Sequence, residues 1–226
     1  MNQKPFVISM HVPKCAGTSL RSWLVAGYGE ENILWDYGDL PMDPSSPSNM
    51  DPEGFLIGFM RNGYSNLAGK AVVHGHFWAR KYDYITTSAI RITFLRDPVK
   101  RALSNYFFWM QASRGLNRLH HYVLDNQLTW QEFVRLPVIR GLYSGVFFRE
   151  FDMHRCAFIG DASRPLEETE RLGKMLGLDH PLGHENKTSG DYSIKVLEIL
   201  SDQKNVRLLQ SLLSEDIAFY EKYAGR

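Results

Sequence analysis

Four short apolar runs along the chain have the length and composition of β-strands. They are PFVISMH (5–11), KAVVHGHF (70–77), AIRITFLRD (89–97) and RCAFIG (155–160). Runs of this length, rich in Val, Ile and Phe and bounded by Pro, Gly or polar residues, predict buried strands.

Apolar residues at helical spacing follow two of these predicted strands. The helix predicted from Thr18 carries Leu20, Trp23 and Leu24 on one stripe, and a second helix is predicted from Pro98 with Asp97 as its N-cap. Further helices are predicted at 117–126, 129–135, 164–176 and 193–223. Strands that alternate with helices favour an α/β fold with a central parallel sheet covered by helices on both faces.

The chain carries no internal repeat or linker that would divide it. We therefore predict a single domain over residues 1–226. Residues 36–66 are rich in Pro, Gly, Ser, Asp and Asn, and this composition predicts a long surface excursion with little regular structure. We treat about 28–69 as the variable excursion of the domain.

Composition and charge exclude several partner classes. The net charge is +1, so general attraction to nucleic acid or to an anionic membrane is not expected. Two cysteines, Cys15 and Cys156, match neither a disulfide scaffold nor a zinc spacing. The segment MNQKPFVISMHV is too short for a transmembrane helix and has no small-residue cleavage site, so a cytoplasmic protein is expected.

The stretch HVPKCAGTSL (11–20) joins the first predicted strand to the first predicted helix. Ligands of parallel sheets bind beyond the carboxyl ends of the strands, where a helix N-terminus offers N–H groups and a positive dipole end. Gly17 permits close approach of an anion, Thr18 and Ser19 supply hydroxyl groups, and Lys14 supplies a charge. This composition predicts a phosphate-binding loop.

The spacing of this loop differs from that of nucleoside-triphosphate-binding loops. In G-x-x-x-x-G-K-[ST] the lysine directly follows the glycine, whereas Lys14 precedes Gly17 by three residues. An ordinary tight turn with Thr18 as a cap is the structural alternative.

A second candidate anion site is TFLRDPVKRALSNYFF (93–108). Arg96 ends a predicted strand, and Ser104 lies on the following helix ~10 Å along the axis from Asp97, at ~1.5 Å per residue. Two separate anion sites suit a nucleotide with phosphates on both its 5′ and 3′ sides. The alternatives are a local ion pair of Arg96 with Asp97 and a small residue at a helix contact for Ser104.

These two segments resemble motifs of the sulfotransferases that use 3′-phosphoadenosine 5′-phosphosulfate (PAPS), in the carbohydrate branch that contains the heparan sulfate 2-O-sulfotransferases. HVPKCAGTSL is similar to the family's 5′-phosphosulfate loop and TFLRDPVKRALSNYF to its 3′-phosphate motif. VVHGHF, CAFIGDASRPLEETERLGKMLGL, HENKTSGD and LLSEDIAFYEKY extend the resemblance over most of the chain. The segments 28–69 and 109–153 are left as variable parts, which we expect to choose the acceptor.

The resemblance implies a P-loop-like three-layer fold and assigns the nucleotide site residue by residue. Arg96 and Ser104 would bind the 3′-phosphate, and Lys187, in ENKTSGD (185–191), would close over the nucleotide. Because the position of Cys15 is often Thr in the family, its thiol is not expected to react. The 5′-phosphosulfate loop comprises Lys14, Cys15, Ala16, Gly17, Thr18 and Ser19.

Sulfuryl transfer resembles phosphoryl transfer in needing alignment and stabilisation of the leaving group. Lys14 is the candidate residue for stabilising the charge on the leaving oxygen, and no metal is expected. A base near neutral pKa must accept the proton of the acceptor hydroxyl, and the resemblance places it in the segment containing His74 and His76. We favour His76, with His11 as a third candidate and a buried structural role as the alternative for either member of the pair.

The resemblance favours a saccharide hydroxyl as acceptor and PAP, adenosine 3′,5′-bisphosphate, as nucleotide product. Two other functions remain open. One is a P-loop kinase or other phosphotransferase using ATP or GTP, with Asp97 holding magnesium. The other is a non-catalytic module that binds nucleotide or carbohydrate. His120 and His121 are expected on solvated helix faces, outside any site.

Overall fold

A computed structural model describes residues 5–62, 64–84, 88–115, 117–180 and 190–225. At its centre is a five-stranded sheet in the order β2-β3-β1-β4-β5, with every neighbouring pair parallel. The predicted α/β class and the central parallel sheet are therefore confirmed. The strands are β1 Val7–Met10, β2 Ile33–Asp36, β3 Val72–Gly75, β4 Ile90–Leu95 and β5 Cys156–Asp161.

Helices cover both faces of this sheet. All four residues of β1 are buried, and successive strand residues point to opposite faces, so neither face of the central strand is open to water. The helices are α1 Gly17–Tyr28, α2 Pro47–Met50, α3 Pro52–Asn62, α4 Pro98–Gln111, α5 Arg118–Asp125, α6 Trp130–Phe133, α7 Pro137–Arg140, α8 Pro165–Leu176, α9 Gly190–Ser201, α10 Gln203–Leu212 and α11 Ser214–Tyr223.

Strands β1, β2 and β3 end at one level of the sheet, and β4 extends two residues further. Met10 pairs with Gly75 of β3 on one side and with Thr93 of β4 on the other. The hydroxyl of Thr93 donates to the carbonyl of Met10 at 2.8 Å, which ties β4 to β1 beside the loop that follows. The residues just beyond these strands, where the predicted site residues lie, are thereby brought to one edge.

The excursion predicted at 36–66 contains more regular structure than we expected. It includes α2 and α3, and a strand that was not predicted, β2, precedes it. The apolar residues Phe55, Leu56 and Phe59 lie at helical spacing in α3, although Gly and Pro around them dominate the composition. The expectation of little regular structure was wrong because tertiary packing outweighs local composition here.

Two other local predictions are corrected. The single helix predicted at 193–223 is three helices, because Asp202 caps α10 through Lys204 N–H at 2.8 Å and so begins a new helix. His120 is fully buried and its Nε2 donates to the carbonyl of Trp109 at 2.9 Å, so it does not lie on a solvated face. A buried imidazole with an internal acceptor is a structural residue.

A buried ion network ties the excursion to the edge of the sheet. The ammonium group of Lys81 lies 2.7 Å from the carboxylates of both Asp36 and Asp39. Tyr82 donates to the same Asp36 oxygen at 2.7 Å, and the Lys81 ammonium lies 4.9 Å from the ring centre of Phe59 in α3. The network therefore connects the end of β2 with α3. None of the helices in the described ranges is long and apolar enough to cross a membrane.

Candidate active site

The loop between β1 and α1 has an unusual backbone. Lys14 and Ala16 adopt φ values of 67° and 58°, in the left-handed region that residues other than glycine rarely enter. Cys15 N–H donates to the carbonyl of Val12 at 3.2 Å and closes a turn within the loop. Turns of this kind direct successive N–H groups to one side and form concave anion-binding sites.

Helix α1 begins directly at the end of this loop without a side-chain cap. Its N-cap is Ala16, and no acidic residue lies in its first turn. The first N–H groups of a helix have no intrahelical acceptor and carry a partial positive charge. The N-terminus of α1 is therefore suited to an anion, as the sequence predicted, and Thr18 and Ser19 lie in its first turn.

Gly17 is required by a close contact. A Cβ atom at Gly17 would overlap the imidazole ring of His11. The glycine thus permits His11 to pack against the first turn of α1, a role that the sequence did not suggest. Contact of His11 with this turn places the loop and the histidines in one site.

Lys14 is a half-buried cation beside another cation. Burial, followed by the positive charge of Arg96, lowers the pKa of Lys14 from its ordinary value. The Lys14 ammonium lies 4.2 Å from the ring centre of Phe108 on α4. No carboxylate in the described ranges forms an ion pair with Lys14 or Arg96. Two neighbouring cations without a carboxylate favour binding of an anion.

Arg96 brings the second predicted anion-binding segment to the first. It follows β4 directly, and its guanidinium group donates to the carbonyl of Lys14 at 3.3 Å. The two motifs, 82 residues apart in the sequence, therefore meet at one edge of the sheet.

Ser104 is buried on the face of α4 that is turned towards the loop. It is only 6% exposed, and its hydroxyl has no hydrogen-bond partner within the described part of the chain. Phe108, which contacts Lys14, lies four residues further along α4 and hence on the same helix face. A buried hydroxyl without a partner is rare, and a ligand oxygen would satisfy it.

Asp97 has a structural role at the start of α4. Its carboxylate accepts from Lys100 N–H at 2.8 Å and caps the helix. No ion pair between Asp97 and Arg96, the structural alternative for these two residues, is present among the described residues.

Cys15 is enclosed beneath the loop. Its side chain is 1% exposed, and its sulfur lies 3.4 Å from the hydroxyl of Tyr143. Burial raises the pKa of the Cys15 thiol, so it stays protonated. These observations agree with the expectation that this thiol does not react.

Three histidines and one tyrosine form an aromatic cluster beside the loop. The ring centres of His11 and His76 are 4.3 Å apart, and those of His11 and His74 are 5.2 Å apart. Tyr37, which follows β2, packs edge-on against His76 with ring centres 4.8 Å apart. Burial, followed by the charges of His76, His74 and Lys14, lowers the pKa of His11, so the loop and the cluster are electrostatically close.

The hydrogen bond of His76 fixes which of its nitrogens carries the proton. Nδ1 of His76 lies 2.6 Å from the carbonyl oxygen of His11, and because a carbonyl can only accept, Nδ1 is the donor. Nε2 of the neutral ring then keeps its lone pair. Burial lowers the pKa of His76 below its ordinary value of 6.5, so the basic form predominates at neutral pH.

His74 lies deeper than His76. It is fully buried, and its Nδ1 shares a 2.9 Å hydrogen bond with the hydroxyl of Ser9. Burial, followed by the charge of His76, lowers its pKa to about 3. Gly75, between His74 and His76 in the sequence, permits the backbone of Asp36 to pack closely, because a Cβ atom on Gly75 would overlap the Asp36 carbonyl.

Sequence reasoning missed two residues of this site. Tyr37 and Tyr143 were not predicted, although the apolar run ILW before Asp36 could have indicated that β2 ends at the same edge. Lys187 lies outside the described residues. Among the described residues no cluster of His, Cys, Asp or Glu could hold a metal ion.

The fold is that of a parallel α/β protein, and the candidate site lies at the carboxyl ends of its central strands. The family model described as "Sulfotransferase family" matches residues 1–224, and the chain therefore belongs to the sulfotransferase family. The family predicted from the sequence is confirmed, whereas the carbohydrate branch stays a prediction. No protein of curated function matches the chain in sequence.

Two solved structures are similar to this chain. A sulfotransferase from Alicyclobacillus acidocaldarius is 17% identical, with a TM-score of 0.41, over 94% of this chain and 96% of its own. The mouse sulfotransferase SULT7A1, solved in complex with PAP, is 13% identical, with a TM-score of 0.43, over 87% of this chain and 63% of its own.

Proposed function

We propose that this protein transfers a sulfuryl group from PAPS to a hydroxyl group of a saccharide. The observation that carries the proposal is the hydrogen bond from Arg96 to the carbonyl of Lys14. It joins two predicted phosphate-binding segments in a cationic site next to His76. Family membership supports sulfuryl transfer, and the residues of the site support the donor and the base.

The nucleotide suits the positive charges and the unpaired Ser104 hydroxyl of the site. Lys14 and the N-terminus of α1 would bind the 5′-phosphosulfate, since both offer positive charge. Arg96 and the buried hydroxyl of Ser104 would bind the 3′-phosphate. Lys187 is retained in the proposal as a residue that closes over the nucleotide.

His76 would act as the general base of the transfer. The acceptor oxygen forms a new bond to sulfur, and the bond between sulfur and the bridging phosphate oxygen breaks. The proton of the acceptor hydroxyl passes to Nε2 of His76, whose lone pair is left free by the Nδ1 hydrogen bond. The charge that remains on the phosphate oxygen is stabilised by Lys14 and the N-terminus of α1.

The acceptor would enter from the side of the variable segments. Tyr37, from segment 28–69, and Phe147, from segment 109–153, both pack against His76, with ring centres 4.8 Å and 6.2 Å away. Aromatic rings offer apolar area for the face of a sugar, and the Tyr37 hydroxyl offers a polar group. This arrangement supports the prediction that these segments choose the acceptor.

The decisive experiment combines nucleotide binding with transfer from radiolabelled PAPS to a panel of saccharides and small alcohols. The His76→Ala variant should lose transfer by at least about 100-fold and keep its affinity for PAP within about twofold. The exposed His154, replaced by alanine, is the matched control and should change neither quantity. Normal turnover of the His76→Ala variant would move the base to His74 or His11.

The same experiment separates the other functions. Magnesium-dependent turnover of ATP or GTP without sulfuryl transfer would show a phosphotransferase instead. Tight binding of PAP by the unmodified protein, with no transfer to any acceptor, would show a non-catalytic module.

A cytoplasmic location belongs to the same proposal. Both cysteines are free thiols, and burial raises the pKa of both Cys15 and Cys156. Free thiols are typical of reducing compartments. Fractionation of cells that express the protein would test this, and recovery from an oxidising compartment would contradict it.

A further inference from the structure

Tyr143 contacts both of the predicted phosphate-binding segments. Its hydroxyl donates to the carbonyl of Arg96 at 2.6 Å and accepts from the N–H of Arg96 at 3.0 Å. The same oxygen lies 3.4 Å from the sulfur of Cys15 in the loop between β1 and α1. One phenol therefore holds the backbone that carries the Arg96 guanidinium and also contacts the loop that carries Lys14.

The backbone around Tyr143 is itself fixed by a buried carboxylate. Residues Leu142–Phe147 form a π-helix, and the two oxygens of Asp216 on α11 each accept from Tyr143 N–H at 3.1 Å. Asp216 also accepts from the N–H and the hydroxyl of Ser144 at 3.2 Å and 3.3 Å. Short π-helical turns are often found at functional sites.

Arg101 completes this support beneath α4. It is fully buried, and its guanidinium group lies 3.7 Å from the Asp216 carboxylate and 5.3 Å from the ring centre of Tyr143. It also donates to the carbonyl of Ile139 at 2.9 Å. Tyr143 thus projects from a scaffold held on both sides by α4 and α11.

We propose that Tyr143 is a positioning residue that fixes the distance between the two phosphate subsites. This inference rests on the proposed nucleotide site. Neither phosphate needs to touch Tyr143, because the phenol acts through the backbone of Arg96 and through Cys15. A ligand with both phosphates binds more tightly when the distance between the subsites is fixed, because the protein loses less conformational entropy on binding. A ligand with one phosphate occupies a single subsite, so its affinity depends little on that distance.

The test compares three nucleotides by calorimetry: PAP, adenosine 5′-monophosphate and adenosine 3′-monophosphate. The Tyr143→Phe variant should weaken PAP binding about tenfold and each monophosphate no more than about twofold. The Tyr82→Phe variant is the matched control, because Tyr82 is also buried and donates to a single carboxylate, that of Asp36, at 2.7 Å. It should leave all three affinities within about twofold.

Two results for Tyr143→Phe would overturn the inference. One is unchanged affinity for PAP, and the other is an equal loss of affinity for PAP and both monophosphates, which a merely structural role would give. Failure of the unmodified protein to bind PAP would instead overturn the proposed function, before any variant is examined.

A second variant keeps the test usable if Tyr143→Phe does not fold. Ser144→Ala removes one hydrogen bond to Asp216 and leaves every contact of the Tyr143 hydroxyl in place. Because the backbone of Tyr143 is then held less firmly, we expect it to weaken PAP binding about threefold to fivefold and to leave both monophosphates within about twofold. Unchanged PAP affinity in this variant, when Tyr143→Phe is not available, would count against the inference.

Discussion

Two lysines lie near the carboxyl-terminal edge of the sheet and differ in what surrounds their charges. Lys81 is buried between the carboxylates of Asp36 and Asp39, each at 2.7 Å. Lys14 is half-buried beside Arg96, and its pKa is lowered by burial and by that neighbouring charge. The charge of Lys81 is neutralised within the fold, whereas no carboxylate of the described residues forms an ion pair with Lys14.

The comparison teaches how to distinguish a structural cation from a binding one. A buried cation contributes to stability only when its partners are already present, because desolvation is otherwise uncompensated. Lys14 lacks such partners among the described residues; its ammonium lies over the ring of Phe108, and the charge of Arg96 is near enough to help lower its pKa, after burial. An arrangement that is unfavourable without a ligand is therefore evidence for an anion site.

The largest expected effects come from replacing the two lysines, one of which should affect transfer and the other stability. Lys14→Met should reduce sulfuryl transfer by about 100-fold to 1000-fold, since it removes stabilisation of the leaving oxygen, while the free energy of unfolding stays equal or rises. Lys81→Met should lower the free energy of unfolding by about 3–5 kcal/mol, because Asp36 and Asp39 stay buried without a cation. Transfer kinetics and urea unfolding of both variants measure this.

A stability loss in Lys14→Met with unchanged transfer would contradict the comparison. So would full stability of Lys81→Met combined with a loss of transfer.

The next effect concerns the partner of Lys14. Arg96→Gln should weaken PAP binding by about tenfold to 100-fold, because a charge-assisted contact with a phosphate is lost. Arg164, which is exposed at the start of α8, provides the control, and Arg164→Gln should bind PAP normally. Calorimetry measures the PAP affinity of both variants. Equal affinity of Arg96→Gln and the unmodified protein would count against the proposed site.

Two buried serines show the same contrast between a binding residue and a structural residue, with smaller expected effects. Ser104→Ala should weaken PAP about fivefold without loss of stability, because its hydroxyl has no partner to lose within the described structure. Ser9→Ala should destabilise the protein by about 1 kcal/mol, since the Ser9 hydroxyl bonds to His74, and should leave PAP affinity unchanged. Thermal unfolding and PAP titration of both variants measure these effects. Loss of stability in Ser104→Ala together with loss of PAP affinity in Ser9→Ala would contradict the prediction.

The smallest effect is in the pH profile of the base. Because burial lowers the pKa of His76, the basic form persists as the pH falls through 6.5 and is lost only below it. Transfer, measured as kcat/KM, should therefore fall less than about 1.3-fold between pH 7.5 and pH 6.5, an interval in which a base of ordinary pKa would lose nearly half of its basic form. A steeper loss in this interval would show a base with an ordinary or raised pKa.

Much of the fold follows from local patterns in the sequence. The predicted strands that became β1, β3, β4 and β5 are short runs of Val, Ile and Phe, which bury well on both faces. β2 and α3 were missed because their burial depends on partners distant in the chain, such as Lys81, which neutralises Asp36. Their local signals, the run ILW before Asp36 and the helical spacing of Phe55, Leu56 and Phe59, are outweighed by the Gly, Pro and polar residues around them.

The residues proposed for the candidate site divide in the same way. Lys14, Arg96 and Ser104 could be predicted because each belongs to a recognisable segment at the end of a strand or on the helix after it. Tyr143 could not be predicted, since its position depends on Asp216, 73 residues further along the chain. The hydrogen bond that fixes the tautomer of His76 likewise joins residues 65 apart.

The central claim is that Lys14 and Arg96 hold opposite ends of one bisphosphorylated nucleotide. Titration of Lys14→Met and Arg96→Gln with adenosine 5′-monophosphate and adenosine 3′-monophosphate tests it most directly. We expect Lys14→Met to weaken the 5′-monophosphate at least about tenfold and the 3′-monophosphate no more than about threefold, and Arg96→Gln to do the reverse. Weakening of the same monophosphate by both substitutions, or of neither, would contradict the account.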